Sequence, residues 1–143
     1  MKEYTLQDKK IAVVGVGGVG GYLAGVLIRS YPHVTLAARS DRGRSIRENG
    51  LVLHNGYHGE IAVHPEKVVD KTELLEPQDF IFVCVKNYSL EQVCRELENA
   101  VTEDTVVIPV MNGADPGEYT RKFLKKGIIV DSLIYIVAFA NQD

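Results

Sequence analysis

A glycine-rich segment near the start of the chain has the spacing of a phosphate-binding turn. Residues 15–20 read GVGGVG. In this G-x-G-x-x-G pattern the first glycine permits a tight turn, the second lets the backbone approach a pyrophosphate, and the third lets a helix pack closely on its strand. The amides at the start of that helix favour an anion. We therefore predict a dinucleotide-phosphate site at six residues: Gly15, Val16, Gly17, Gly18, Val19 and Gly20.

The residues on either side of these glycines support this interpretation. Residues 11–14, IAVV, form a continuous apolar run typical of a strand that is covered on both faces of a parallel sheet. A helix is predicted over residues 18–30, and Pro32 marks its end. Strand, turn and helix thus follow one another in the order that the motif requires.

A membrane helix is the alternative interpretation of the same segment. Residues 11–28 carry no charge, and Gly17, Gly21 and Gly25 have the small-residue spacing that packs transmembrane helices. Against this, glycines crowd one end of the run, and each costs roughly 1 kcal/mol of helix propensity relative to alanine. The cleavage site that would mark a signal peptide does not follow. We therefore expect no membrane span.

Arg39 stands where a nucleotide-binding fold contacts the adenosine ribose. The strand predicted at residues 34–38, VTLAA, completes a β-α-β unit that leads to this position. Enzymes that prefer NAD place an acidic residue here, whereas a guanidinium offers a two-pronged contact to a 2′-phosphate. The arginine predicts NADP(H) rather than NAD, and the missing acid also argues against an S-adenosylmethionine fold. The alternative is a solvated loop that contains Arg39, Arg42 and Arg44.

Two further polar residues follow predicted strands. Lys86 ends the run DFIFVCVK, and Asn112 follows TVVIPVM. Ligands of open α/β sheets lie beyond the carboxyl ends of the strands, so both residues are candidates for contacts with cofactor and substrate. Lys86 would supply positive charge near a nicotinamide and an anionic substrate, and Asn112 would offer a donor and an acceptor. The alternatives are a solvated lysine after a strand and a simple Asn-Gly turn.

The remaining segments predict an α/β fold of the Rossmann type, a doubly wound, mostly parallel sheet with helices on both faces. Residues 51–65 alternate around Asn55-Gly56 and Gly59 as a β-hairpin does, and look like an insertion. A capping box of Ser89 and Gln92 predicts the start of a helix whose inner face carries Leu90, Val93 and Leu97. A short helix is predicted over residues 118–126 and closes at Gly127, and a final apolar stretch covers residues 128–140.

Length and composition limit the classes of function. The chain has 143 residues, of which 45% are hydrophobic and 24% charged, as in one globular domain. A net charge of -3 provides no basic field, so no nucleic-acid partner is expected. Cys84 and Cys94 lack the spacing of a metal or redox motif and suit a reducing cytoplasm. Three histidines, His54, His58 and His64, lie close together in the predicted hairpin region. We expect them to be solvated there rather than to bind a metal ion.

Taken together, these segments resemble the ketopantoate reductases, also called 2-dehydropantoate 2-reductases. The resemblance covers nearly the whole chain and is fairly specific because its motifs occur in one order and spacing. They are GVGGVG at residues 15–20, AARS with Arg39, VCVK ending at Lys86, MNG with Asn112, and YIVAF near the end. Two positions depart from the family pattern: Gly18 replaces an alanine of the glycine turn, and Met111 replaces a glutamine before the Asn-Gly pair.

The resemblance implies reduction of 2-dehydropantoate to pantoate by NADPH, a step of pantothenate and coenzyme A synthesis. Hydride passes to the ketone carbon, and the developing alkoxide must be stabilised and protonated. In the family the proton donor is a lysine of a second, helical domain, which we expect to lie outside this chain. Residues 1–143 would then be the NADP-binding domain, with no catalytic residue of its own beyond a supporting role for Lys86.

Three hypotheses remain open for the chain. It is the cofactor-binding half of this reductase, a reductase of another branched 2-oxo acid, or a free-standing nucleotide-binding module without catalysis. The expected ligands in the first two cases are NADP(H) and a small 2-oxo acid, and the isolated chain should show no appreciable turnover. An uncovered domain interface would also favour a homo-oligomer.

Overall fold

The computed structural model describes residues 6–55, 59–110 and 116–131. These residues form eight strands and four α-helices, in this order: β1 (Ile11–Val14), α1 (Gly18–Ser30), β2 (Val34–Ala37), α2 (Ser40–Asn49), β3 (Leu51–Asn55), β4 (Gly59–Val63), β5 (Lys67–Val69), β6 (Phe80–Val83), α3 (Leu90–Glu96), β7 (Val106–Pro109), α4 (Pro116–Phe123) and β8 (Ile128–Ile129). Two 3₁₀ turns, Thr72–Leu74 and Asn87–Ser89, precede β6 and α3.

Six of the strands form one sheet in the order β5-β2-β1-β6-β7-β8, and every neighbouring pair in it is parallel. The chain winds outward from β1 in one direction through β2 and β5, and in the other through β6 to β8. The direction of winding therefore reverses between β1 and β6, where Val14 pairs with Val83. A crevice at such a reversal is the usual ligand position in a doubly wound fold.

Alternate residues of β1 serve the two faces of this sheet. Ile11 and Val13 belong to a core cluster with residues of α1, α2 and the hairpin, whereas Ala12 and Val14 belong to a cluster with α3 and Leu124. Helices thus cover both faces, and all four residues of β1 are buried. The predicted doubly wound α/β fold is confirmed.

The hairpin is separate from the sheet. Strands β3 and β4 pair only with each other, as the antiparallel hairpin that the alternating pattern predicted. Leu51 lies opposite Val63. The hairpin packs on α1, where a Cβ on Gly25 would overlap the Cδ1 of Leu53. One glycine of the small-residue spacing therefore accommodates a leucine of the hairpin, and the residues that connect β3 to β4 lie outside the described part.

The membrane interpretation of residues 11–28 is wrong. The segment divides into β1, a glycine turn and α1, which has 13 residues. In the described part of the chain, no helix is both long and apolar enough to cross a membrane.

Several local predictions need correction. Ser89 does not cap α3, because it belongs to the preceding 3₁₀ turn, has helical dihedral angles and makes no side-chain cap bond, while Gln92 donates to Glu96. The inward residues Leu90, Val93 and Leu97 are buried as predicted. The apolar run before Lys86 leaves the sheet earlier, at Val83.

The last described helix is also displaced from its predicted bounds. Helix α4 spans Pro116–Phe123 rather than residues 118–126, since proline suits the first turn of a helix, where its missing N–H is not needed. Gly127 has a φ of 91° and precedes β8, but it lies four residues beyond the end of α4 and does not close that helix as predicted. The apolar stretch is described only as far as β8 and residue 131, so the YIVAF segment lies outside the described residues.

Candidate functional site

A cleft of about 490 Å³ opens at the carboxyl ends of the central strands. It lies at the reversal of winding between β1 and β6 and brings together four predicted features: the glycine turn, the end of β2 with Arg39, the segment after β6 with Lys86, and the start of α3. Its lining residues are Val14–Gly20, Ala37, Ala38, Arg39, Arg42, Asp70, Thr72, Cys84–Asn87, Ser89, Val93 and Val110.

The glycine turn depends on contacts that only residues without a side chain can make. Gly15 has a φ of 89°, and a Cβ there would lie 2.5 Å from the carbonyl oxygen of Cys84. A Cβ on Gly20 would overlap the carbonyl oxygen of Gly15. The first and third glycines of the motif thus permit the turn and the close packing of α1 on β1, as predicted.

Gly17 differs from the other two glycines because a Cβ at its position would meet no atom within 4 Å. The fold therefore has no packing reason for a glycine here, and its backbone lines the open cleft. Gly17 is the N-cap of α1, and the first turn of the helix contains no acidic residue. The amides of this turn, which lack acceptors within the helix, face a site where an anion is favoured.

Arg39 lies at the far side of the cleft, directly after β2. It is the N-cap of α2, its side chain is 68% exposed, and one of its guanidinium nitrogens is 3.7 Å from Oε2 of Glu96. Ser40, the next residue, has a positive φ of 52° and turns the chain away from the sheet. The guanidinium is therefore available at the cleft and has one carboxylate beside it.

The segment that the alternative interpretation treats as a solvated loop is a helix. Arg42 and Arg44 both belong to α2, but they occupy different surroundings. Arg42 lines the cleft, and its Nε donates to the carbonyl oxygen of Val16 at 3.2 Å. Arg44 is exposed, pairs with Asp41 at 3.9 Å and does not line the cleft. Arg42 thus adds positive charge next to the glycine turn, a role that the solvated-loop alternative overlooked.

Among the cleft residues that the sequence did not predict, two polar ones follow β5. Asp70 follows β5, and Thr72 begins the 3₁₀ turn after it and is buried. Both lie at the carboxyl end of a strand that pairs with β2, on the same side of the cleft as Arg39. The sequence signal for these residues is the short run KVVD at residues 67–70. Its two valines are typical of a strand, and a polar residue follows them, as Arg39 follows β2.

Lys86 and Cys84 form the other wall of the cleft. Lys86 precedes the 3₁₀ turn Asn87–Ser89, is exposed and lines the cleft three residues after the end of β6. Cys84, the first residue after β6, donates its N–H to the carbonyl oxygen of Val14 at 2.8 Å. Burial raises the pKa of the Cys84 thiol to about 12, so it is uncharged at neutral pH and supplies no nucleophile.

Asn112 lies outside the described residues. The described range before it ends at Val110, which lines the cleft and donates its N–H to the carbonyl oxygen of Val83 at 2.8 Å. In the described ranges, no three His, Cys, Asp or Glu side chains are grouped as a metal ion would require. Of the three histidines weighed for a metal, His58 falls outside those ranges.

Comparisons with known proteins point to one family. Residues 11–143 match the family model described as ketopantoate reductase PanE/ApbA. A curated relative from Bacillus subtilis, the uncharacterized oxidoreductase YkpB, is 31% identical over 128 residues, which are 89% of this chain and 41% of that protein. The 2-dehydropantoate 2-reductase of Mesorhizobium japonicum is 31% identical over 105 residues, which are 73% of this chain and 32% of that protein.

A solved structure shares the fold. The crystal structure of 2-dehydropantoate 2-reductase from Porphyromonas gingivalis superposes with a TM-score of 0.78 at 31% identity, over 91% of this chain and 47% of that one. The chain thus spans less than half the length of each of these relatives.

Proposed function

The chain belongs to the ketopantoate reductase PanE/ApbA family, and from this membership and the cleft we propose that it is the nucleotide-binding domain of an NADPH-dependent reductase. The proposed reaction is reduction of 2-dehydropantoate to pantoate, in the cytoplasm, as a step towards pantothenate and coenzyme A. The observation that carries the proposal is that the glycine turn, Arg39 and Lys86 line one cleft at the reversal of the sheet.

We propose that a dinucleotide lies along this cleft. Gly17 leaves open space beside unpaired helix amides, which suits a diphosphate rather than a side chain. Arg39 stands after β2, where the adenosine ribose is held in this fold, and its guanidinium matches a 2′-phosphate. The diphosphate would therefore lie between an adenosine end at Arg39 and a nicotinamide end at Lys86.

We propose that Lys86 orients a 2-oxo acid. A bound dihydronicotinamide supplies the hydride for the ketone carbon. The Lys86 ammonium, exposed at the cleft, would attract the carboxylate of the substrate and lower the energy of charge that develops on the ketone oxygen. We further propose that Asn112 contacts cofactor and substrate, and that the proton donor belongs to a segment other than the described cleft.

The experiment that tests the proposal is a titration of the chain with NADPH and, separately, with NADH, followed by nucleotide fluorescence. Charge-assisted hydrogen bonds of roughly 1.5–3 kcal/mol to a 2′-phosphate correspond to about tenfold to a hundredfold in affinity. We therefore expect NADPH to bind at least about tenfold more tightly than NADH. A folded chain that ignores NADPH at millimolar concentration would contradict the proposal, and tighter binding of NADH would contradict the assignment of Arg39.

A further inference from the structure

Glu96 places a mostly buried carboxylate beside the arginine that would bind the 2′-phosphate. It is the last residue of α3, its side chain is 16% exposed, and its Oε2 lies 3.7 Å from an Nη of Arg39. Val93, one turn earlier on the same helix, lines the cleft. The carboxylate therefore approaches Arg39 from the side of α3, at the edge of the site.

The two oxygens of this carboxylate are in different situations. Oε1 accepts a hydrogen bond from Nε2 of Gln92 at 3.1 Å. Oε2 is buried and has no hydrogen-bond partner among the described residues. The guanidinium of Arg39 lies 3.7 Å away, which is within ion-pair distance but too long for a hydrogen bond. A buried carboxylate oxygen without a partner is costly, so the charge of Arg39 is what offsets the negative charge of Glu96.

We infer that Glu96 is a specificity-determining residue that opposes NADPH by competing with the 2′-phosphate for Arg39. The inference rests on the proposed function. A 2′-phosphate would bring up to two negative charges to a guanidinium that already faces one carboxylate, and any turn of Arg39 towards the phosphate would leave Oε2 of Glu96 without its cation. NADH has no 2′-phosphate, so the same carboxylate costs it little.

The variant Glu96→Gln tests this inference, since it keeps the shape of the side chain and removes its charge. An ion pair with an exposed partner is worth up to about 1 kcal/mol, and repulsion of the phosphate adds to it, so we expect NADPH to bind roughly threefold to tenfold more tightly than to the wild-type chain. The affinity for NADH should change by less than about twofold. The ratio between the two nucleotides is the readout that a merely structural role would not move.

The matched control is Glu91→Gln on the same helix. Glu91 is exposed and pairs with Arg95 at 2.6 Å, one turn along α3, and it does not line the cleft. Its substitution removes the same charge, and both nucleotide affinities should stay as in the wild-type chain. An equal gain in NADPH affinity from Glu91→Gln would show a general effect of net charge and overturn the inference.

A double-mutant cycle with Arg39→Ala completes the test. Because Glu96 is inferred to act through Arg39, Glu96→Gln should raise NADPH affinity less in the Arg39→Ala background than in the wild-type chain. Glu96→Asp shortens the side chain by one methylene and should give part of the gain in NADPH affinity. It replaces Glu96→Gln in the test if circular dichroism shows that the glutamine variant does not fold.

The other outcomes of these titrations distinguish failure of the inference about Glu96 from failure of the proposed function. Unchanged or weaker NADPH binding by Glu96→Gln, with wild-type NADPH binding intact, overturns the inference and leaves the proposed function standing. A selective loss of NADH affinity also overturns it, because Glu96 would then accept a hydrogen bond from a ribose hydroxyl. Failure of the wild-type chain to bind NADPH removes the proposed function and the inference together.

Discussion

The backbone of Gly20 in α1 lies against the carbonyl oxygen of Gly15 at the end of β1, with no room for a Cβ between them. This contact sets how closely the helix approaches the sheet, and it therefore sets where the amides of its first turn point. Gly17, between these two glycines, has open space where a Cβ would be. Two glycines of the motif are thus required by the fold, and one by the ligand that the cleft is proposed to hold.

The variants Gly20→Ala and Gly17→Ala should separate these requirements. A methyl group on Gly20 meets backbone on one side and the Cβ of Cys84 at 3.0 Å on the other, so we expect a loss of about 3 kcal/mol in the free energy of unfolding. Gly17 has a negative φ of -88°, and its substitution should change stability by less than about 1 kcal/mol. Denaturant unfolding measures both.

Nucleotide titration of the folded Gly17→Ala variant completes this comparison. The methyl group would occupy the space of the diphosphate, and we expect NADPH and NADH to bind at least roughly tenfold more weakly. Unchanged affinity would show that the diphosphate does not approach Gly17. A Gly20→Ala variant as stable as the wild-type chain would contradict the packing argument.

Arg39→Asp should remove the preference for NADPH. The substitution removes the guanidinium and puts a carboxylate at the ribose, so NADPH should bind about tenfold or more weakly while NADH keeps its affinity. Arg44→Asp is the matched control, because this substitution changes the net charge by the same amount at a residue of α2 that does not line the cleft. An equal loss for both nucleotides in Arg39→Asp would contradict the role assigned to the 2′-phosphate.

The elements that the sequence predicts well are those with local signals. The strand at residues 11–14, the helix at residues 18–30 and the hairpin each carry their own pattern of apolar residues and glycines, and the structure confirms all three. The second strand ends at Ala37, one residue before its predicted end. The position of Arg39 followed from the order of these elements, because parallel strands bring their carboxyl ends to one edge of the sheet.

The features that the sequence did not predict depend on distant contacts. Strand β5 has three residues, too few for a visible periodicity, and exists because it pairs with β2. Helix α2 has a polar sequence in which Ile46 is a single large buried side chain, so no apolar stripe marked it. The contacts of Arg42 with Val16 and of Arg39 with Glu96 join residues far apart in sequence, and only the packed helices bring them together.

Cys84 should make the stability of the chain fall at alkaline pH. Burial raises the pKa of its thiol from 9.0 to about 12, so between these values the unfolded chain loses a proton that the folded chain keeps. The unfolded state then binds fewer protons, and the free energy of unfolding decreases with rising pH by up to about 1.4 kcal/mol per pH unit. Stability from this group is complete below pH 9 and is lost as the pH rises towards 12.

Urea unfolding of the wild-type chain and of Cys84→Ala at pH 8 and pH 10.5 measures this effect. From the pKa values of the folded and unfolded states, the wild-type chain should lose about 2 kcal/mol more than the variant between these two pH values. Cys94, whose thiol pKa burial raises to about 11, is present in both proteins and cancels in the difference. Equal losses would mean that the Cys84 thiol ionises as readily in the folded chain as in the unfolded one.

The isolated chain should bind NADPH without reducing 2-dehydropantoate. The described cleft offers Lys86 as a cation for the substrate, but the alkoxide that forms at the ketone carbon also needs a proton donor, and the proposal places that donor on another segment. The measurement is the absorbance of NADPH in the presence of 2-dehydropantoate, with the reductase from Porphyromonas gingivalis as the positive control. Turnover by the chain at a rate that Lys86→Ala abolishes would make Lys86 the proton donor and overturn this division of roles. Turnover that survives Lys86→Ala would place the donor elsewhere in residues 1–143.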